Sequence, residues 1–272
     1  MNPLVGQWRP VSRLAAWMVG ASARFNYEWA LRSPGRPPFI MLTEFPRSGG
    51  NWIRDVLADT LQLPAPRFSR VPALFPCIAH NHDPRPLLSH ACIYVIRDPR
   101  DIFLSHRAKA WTTYQSAGTT GRQRALKWHP SLGRADPSSD GPDMTAFYAE
   151  WLERPLGSRV GWDAHVAPWL DNPNPQLALI RFEDMHERPE ATVRTAVERL
   201  AGRTPEDFVI DFAIRRNSFE VQTGRKAGEV DPSSTKRQGL AGAWRKDLPS
   251  ALARRFLQDL GTIIEKAGYA DA

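Results

Sequence analysis

Cysteine is scarce. Cys77 and Cys92 are the only two in 272 residues, too few for a disulfide framework. Both sit among apolar neighbours, so a reducing, cytoplasmic location is expected. Long apolar runs are missing too. The N-terminal stretch Leu14–Ala21 falls far short of the ~20 residues a spanning helix needs, so no transmembrane anchor is expected. There is no zinc-finger spacing and no RNP-type aromatic motif. Nucleic acid is therefore not the expected partner, although the net charge is +7. Internal repeats are absent, which excludes a solenoid. The glycine loop at Pro46–Asn51 lacks the Lys-Ser/Thr pair of the common nucleotide loop.

What is present is ordinary globular composition, 42% hydrophobic and 24% charged, in a chain long enough for one sizeable domain. The positive charge favours an anionic ligand, an acidic acceptor or an anionic surface. Arg9 and Arg13 precede Leu14–Ala21, and Trp17, Arg24, Phe25, Trp29 and Leu31 continue at helical spacing. This N-terminal helix is read as packing on the domain or touching a membrane surface, with a cleaved signal as a third option. The breaker cluster Pro34–Pro38 separates it from the first strand.

Buried strands are expected at Phe39–Leu42, Cys77–His80, Ala91–Ile96 and Leu177–Phe182. Helices are expected up to Leu61, from Pro99 to about Ala110, over Met144–Leu170 and Pro189–Leu200, near Phe208–Ile214, and over Leu248–Ala267. Asp98 can cap the second of these and Pro99 suits its first position. Leu63–Pro76 reads as a Pro-rich loop, and Gln115–Asp143 as a long loop without a period. Alternating strands and helices predict an α/β fold, a central parallel sheet flanked by helices.

Chemistry concentrates in Phe39–Leu61, where a strand, the loop Pro46-Arg47-Ser48-Gly49-Gly50-Asn51 and a helix come in succession. Glycines let backbone N–H groups approach an anion, and the helix N-terminus adds donors and partial positive charge. Arg47 and Ser48 add a charge and a hydroxyl. Arg97 lies just past the Ala91–Ile96 strand and Ser105 eight positions on. In an open parallel sheet that is where ligands bind, so the two suit a second phosphate. Lys236–Arg245, KRQGLAGAWR, places bases beside glycines again. Two separated phosphate grips suit a nucleotide phosphorylated at both ends.

The runs PRSGGNW, YVIRDPRDIFLS and KRQGLAGAWR, in this order and spacing, resemble the sulfotransferases that use 3′-phosphoadenosine 5′-phosphosulfate (PAPS). The resemblance covers roughly Phe39–Leu61, Cys77–Ala110, Leu177–Met185 and Asn217–Arg245. It implies residues 1–36 as a helical extension and 37–272 as the sulfotransferase domain, with an acceptor and lid insertion at about 111–170. By the resemblance Arg47 replaces the Lys that stabilises the leaving phosphate; unlike Lys it cannot give up its proton at neutral pH. Ser48, Gly49, Gly50 and Asn51 would hold the 5′-phosphate, with Gly50-Asn51 where two hydroxyl residues are usual. Trp52 and Phe219 would stack on adenine, with Phe182 facing the base. Arg97, Ser105, Arg237 and Gly239 would bind the 3′-phosphate, with Gln238 in place of a Lys.

The family's basic histidine corresponds to His82, and His80 stands where Lys is usual. A base is needed because an acceptor hydroxyl must lose its proton as sulfur is attacked, and imidazole is well matched. The implied reaction is sulfuryl transfer to a hydroxyl or amine of a small-molecule or carbohydrate acceptor. It gives 3′,5′-adenosine bisphosphate (PAP) and requires no metal. A metal set of His80, His82, Asp83 and His90 lacks recognisable ligand spacing. The alternatives are a small-molecule kinase, which would need a Lys after the glycines, and a nucleotide-dependent binding protein. Acceptor choice is expected to rest on Pro64–Pro76, Gln115–Trp169 and Gln222–Ser234. Trp111, Tyr114, Trp128, Trp162 and Trp169 are either pocket lining or core. No pattern in the chain speaks to oligomeric state.

Overall fold

Four apolar runs pair side by side in the computed structural model, which describes residues 13–33, 35–67, 69–229, 231 and 239–269. They are β1 (Ile40–Glu44), β2 (Ile78–Asn81), β3 (Cys92–Ile96) and β4 (Leu177–Arg181). Every pairing is parallel and the order is β2-β1-β3-β4. The register sets Leu42 beside His80 and Ile93, and Tyr94 beside Leu179. Carboxyl ends therefore line one edge of the sheet, where Glu44, His80 and Arg97 emerge together.

Helices cover both faces, as a parallel sheet requires. Strand residues alternate between two cores. Met41, Cys92, Tyr94 and Ile96 face a core rich in aromatics, including Phe103, Trp151 and Phe256. It is built with α3 (Pro99–Ser116), α5 (Met144–Glu153), α6 (Trp162–Leu170) and α12 (Ser250–Lys266). Leu42, Ile93 and Val95 face an aliphatic core under α2 (Gly50–Leu61), α8 (Pro189–Ala201) and α9 (Asp207–Arg216). Each fully buried Leu, Ile or Phe stabilises the fold by about 1.5–3 kcal/mol. Short helices complete the chain: α7 (Asp184–Glu187), α10 (Phe219–Thr223) and α11 (Trp244–Asp247).

Local chemistry explains the helix starts. Asp98 accepts from the Arg100 N–H and Pro99 occupies the first turn of α3. α2 begins after Gly49, whose φ of 94° is left-handed. Arg47 also has positive φ, 78°, an unfavourable conformation for a residue with a Cβ.

Three expectations are corrected. Residues 115–143 are not one loop: α4 (Thr119–Trp128) and a 3-10 turn at Pro130–Arg134 lie within them. α4 has no fully buried residue, so it shows no apolar period to read. Met144–Leu170 is two helices, since Pro155 and Gly157, the latter with φ 78°, break the run. α3 continues to Ser116, past Ala110.

The N-terminal helix α1 (Arg13–Arg32) packs on the domain. Ser22 donates to the Val71 carbonyl, Asn81 donates to the Ala23 carbonyl, and Asn26 accepts from the Ala73 N–H. Its outer side exposes Leu14, Trp17 and Phe25. Among the described residues no helix is long and apolar enough to cross a membrane. Cys77 and Cys92 are buried free thiols.

Candidate active site

Beyond the carboxyl ends of β1, β2 and β3 lies a cavity of about 1070 Å³, large enough for a nucleotide and a small acceptor. Arg47, Gly49, Gly50, Asn51, Trp52, His82, Arg97, Ser105, Phe182, Phe219 and Gly239 all line it. Arg237 and Gln238 lie outside the described residues.

The two arginines open onto the same space. Arg47 Nε donates to Ser105 Oγ at 2.9 Å, and Arg97 Nη1 donates to the Arg47 carbonyl at 3.5 Å. Arg97 Nη2 donates to the Leu240 carbonyl at 2.9 Å, and the guanidinium lies 4.1 Å from the centre of the Phe182 ring. Its Nε is buried without a hydrogen-bond partner, which leaves a donor for a ligand.

Ser48 departs from expectation. It is fully buried, its hydroxyl donates to the Phe45 carbonyl at 2.7 Å, and it does not face the cavity. The hydroxyl closes the loop on itself, so of the loop it is Pro46, Arg47, Gly49, Gly50 and Asn51 that line the cavity.

Both glycines are sterically required. A Cβ on Gly49 would meet Phe182 Cδ2 at 2.4 Å, and one on Gly239 would meet Phe219 Cδ2 at 2.3 Å. The backbone thus presses against the aromatic rings assigned to adenine. Trp52 and Phe182 meet edge to face at 5.7 Å. His186, which sequence reasoning missed, completes this box at 4.9 Å from Trp52 and 4.8 Å from Phe182. Desolvation and the Arg97 guanidinium push its pKa down to about 4, so the ring is neutral near pH 7.

Asp101 was also missed. Its carboxylate accepts from the N–H groups of Gly242 and Trp244, at 2.7 and 3.0 Å. It ties the C-terminal glycine segment to α3, beside Arg97. Asp101 reads in sequence only as a first-turn acid; the pairing spans more than a hundred positions.

His82 comes directly after β2 and faces the cavity. Its Nδ1 donates to the Glu44 carbonyl at 3.1 Å, which assigns the proton to Nδ1 and leaves the Nε2 lone pair free. Desolvation lowers its pKa, His80 lowers it further, and Glu44 partly opposes both. His82 is solvent-exposed beside the cavity, and with its pKa lowered the ring is neutral at pH 7.

Glu44 is the third residue missed. It is buried at the end of β1, its Oε1 lies 3.2 Å from His80 Nε2, and its Oε2 accepts from the Gly50 N–H at 2.5 Å. Burial would push this carboxyl up; the hydrogen bond and charge of His80, the His82 charge and the Gly50 N–H together hold it below its ordinary range.

The metal set weighed in sequence does not assemble. Asp83 pairs with Arg85, and His90 bonds the Phe39 carbonyl. Glu44, His80 and His82 instead bring three ligand-type atoms within 4.8 Å of one another. Within this group Glu44 Oε1 lies 3.2 Å from His80 Nε2 and Oε2 accepts from the Gly50 N–H.

The acceptor side was only partly legible. Pro66, Arg67, Ser69 and Ala73 line the cavity as expected, and so do Gln222 and Ala227. No lining residue comes from 115–169; the wall is supplied instead by Val19, Ser22, Ala23 and Asn26 of α1. Trp111, Trp162 and Trp169 are buried in the core, and Trp128 is exposed.

A parallel sheet that opens a charged cavity beyond its strand ends is the layout of a nucleotide-binding α/β protein. The chain belongs to the sulfotransferase domain family, whose domain matches residues 75–265; the match begins after the glycine loop. The chain is similar to Sulfotransferase 1A1 of Canis lupus familiaris, 24% identical with 86% of each chain covered. Sulfotransferase 1A1 of Mus musculus is also 24% identical, covering 81% of this chain and 82% of that one. In fold it resembles mouse sulfotransferase SULT7A1 complexed with PAP, with a TM-score of 0.60, 20% identity and 91% of both chains covered. It also resembles retinol dehydratase in complex with androsterone and inactive cofactor PAP, with a TM-score of 0.56, 15% identity, and 97% and 96% covered.

Proposed function

We propose that the cavity binds PAPS and that the chain transfers its sulfuryl group to the hydroxyl of a small-molecule acceptor. One observation supports this most: Arg47 and Arg97, from the ends of two adjacent strands, share a hydrogen bond and one cavity with His82. Gly49, Gly50 and Asn51 hold the 5′-phosphosulfate, Trp52, Phe182 and Phe219 take the adenine, and Arg97, Ser105 and Gly239 take the 3′-phosphate. The loop carries no Lys after its glycines, so the kinase alternative gains no support.

In the reaction the acceptor oxygen attacks sulfur in line with the bond to the bridging oxygen. Its proton passes to His82 Nε2. The sulfur–oxygen bond breaks, and its electron pair leaves on the 5′-phosphate of PAP. Arg47 and the α2 N-terminus neutralise that charge. Positioning and electrostatics account for the rate, with no covalent enzyme intermediate. The wall from α1 mixes Val19 and Ala23 with the polar Ser22 and Asn26, which suits an acceptor with both apolar and hydroxyl parts.

The test is transfer of labelled sulfate from PAPS to a metabolite extract, and then assay on the labelled acceptor. His82→Ala should lower turnover by roughly 10²–10⁴-fold with PAP affinity kept. Turnover within tenfold of the parent would remove His82 from the base role.

A further inference from the structure

Two departures from the family pattern, Gly50 in place of a hydroxyl residue and His80 in place of Lys, stand 30 positions apart in the chain. The structure joins them through Glu44. A Cβ on Gly50 would lie 2.6 Å from the Glu44 carboxyl carbon and 2.8 Å from each of its oxygens. Any larger residue at 50 would occupy the carboxylate's place. That carboxylate, once seated, meets His80 with one oxygen and the first N–H of α2 with the other. The same residue's backbone carbonyl holds His82. The two imidazole rings lie 4.8 Å apart.

We propose that Glu44 is the positioning residue of this site: its side chain holds His80, its backbone holds His82, and glycine at 50 is what admits it. His80 and Glu44 then stand side by side next to the reacting atoms, 3.2 Å apart. A buried carboxylate needs such a partner, because breaking a buried pair leaves an uncompensated charge. The inference rests on the reading of His82 as the base.

Both members of the pair act on His82 with opposite sign. His82 is faced by Glu44 from β1 and by His80 from β2. His165 of α6 donates from Nε2 to the His82 carbonyl at 3.2 Å, and His106 of α3 feels its charge. Glu44 stabilises the imidazolium of His82 and His80 opposes it.

The experiment tracks the ring resonances of His82 by NMR in the full chain, identified with His82→Asn, and measures PAP binding by calorimetry on the same samples. Glu44→Gln should move the His82 titration to lower pH, and His80→Asn should move it to higher pH. Gly50→Ala should move it in the same direction as Glu44→Gln. PAP affinity should stay within about threefold for His80→Asn. A His82 titration that either Glu44→Gln or His80→Asn leaves in place, or that both move the same way, overturns the proposal. If Glu44→Gln fails to fold, His80→Asn, at the cavity wall, decides alone. Failure of the parent chain to bind PAP would instead remove the donor reading, while the histidine titrations still judge Glu44.

Discussion

Gly49 shows how a single residue ties geometry to binding. Its left-handed φ and its contact with Phe182 leave no room for a Cβ. Gly49→Ala should cost about 1–3 kcal/mol of stability through backbone strain and weaken PAP binding as Phe182 is displaced. Urea unfolding with parallel calorimetry checks both, and an alanine variant with parent stability and affinity would contradict the packing argument. At this scale Arg47, Arg97, Ser105, Trp52 and His82 were legible because each sits in a motif next to a strand end. Glu44 and His186 were not. Glu44 closes an apolar strand and reads as its solvent end; only the pairing of β1 with β2 brings it under His80. His186 comes after β4 in a short helical turn with no motif. Ser48 is the loop residue whose hydroxyl turns inward, to the Phe45 carbonyl; sequence shows a hydroxyl but not which way it turns.

Among the elements, α1 packs on the domain, the first of its sequence readings, and does more besides. Its inner side, with Ser22 and Asn26 buried, builds part of the cavity wall. Its outer side leaves Leu14 at 66% and Trp17 at 68% exposure, and Leu74 on the adjoining loop at 71%. We propose that this exposed side makes peripheral contact with an anionic bilayer. Vesicles rich in anionic lipid should sediment the parent chain, and Trp17→Asp should reduce the bound fraction severalfold; equal sedimentation would rule this contact out. The strands and the capped start of α3 were legible because burial on both faces leaves continuous apolar runs and Asp-Pro is a local signal. α4 and the break between α5 and α6 were not, because one is a surface helix and the other hides inside an aromatic-rich stretch.

Across the whole molecule, the aromatic core buries neutral histidines, His106 and His165 the most deeply. His106 accepts from the Trp151 indole N–H at 2.7 Å, and desolvation, then the Arg47 charge, push its pKa down to about 3. His165 pairs with the Tyr94 hydroxyl at 2.8 Å, and desolvation takes it down to about 4. In the unfolded chain both bind protons near pH 6.5. Their contribution is therefore intact above that pH and is lost as pH falls through 6.5 towards 4 and 3, at about 1.4 kcal/mol per unit for each. Denaturant unfolding at pH 7, 6 and 5 should show this decline, and His106→Asn should flatten it. A slope unchanged by that substitution would contradict the assignment.

The central claim is that two phosphate grips, Arg47 with the glycine loop and Arg97 with Ser105, act on one nucleotide. Calorimetry with PAP and with AMP, which lacks the 3′-phosphate, tests it most directly. PAP should bind at one site per chain at least tenfold more tightly than AMP, a difference of about 1.4 kcal/mol, and Arg97→Ala should abolish the difference. Equal affinities for the two nucleotides in the parent chain would contradict the account.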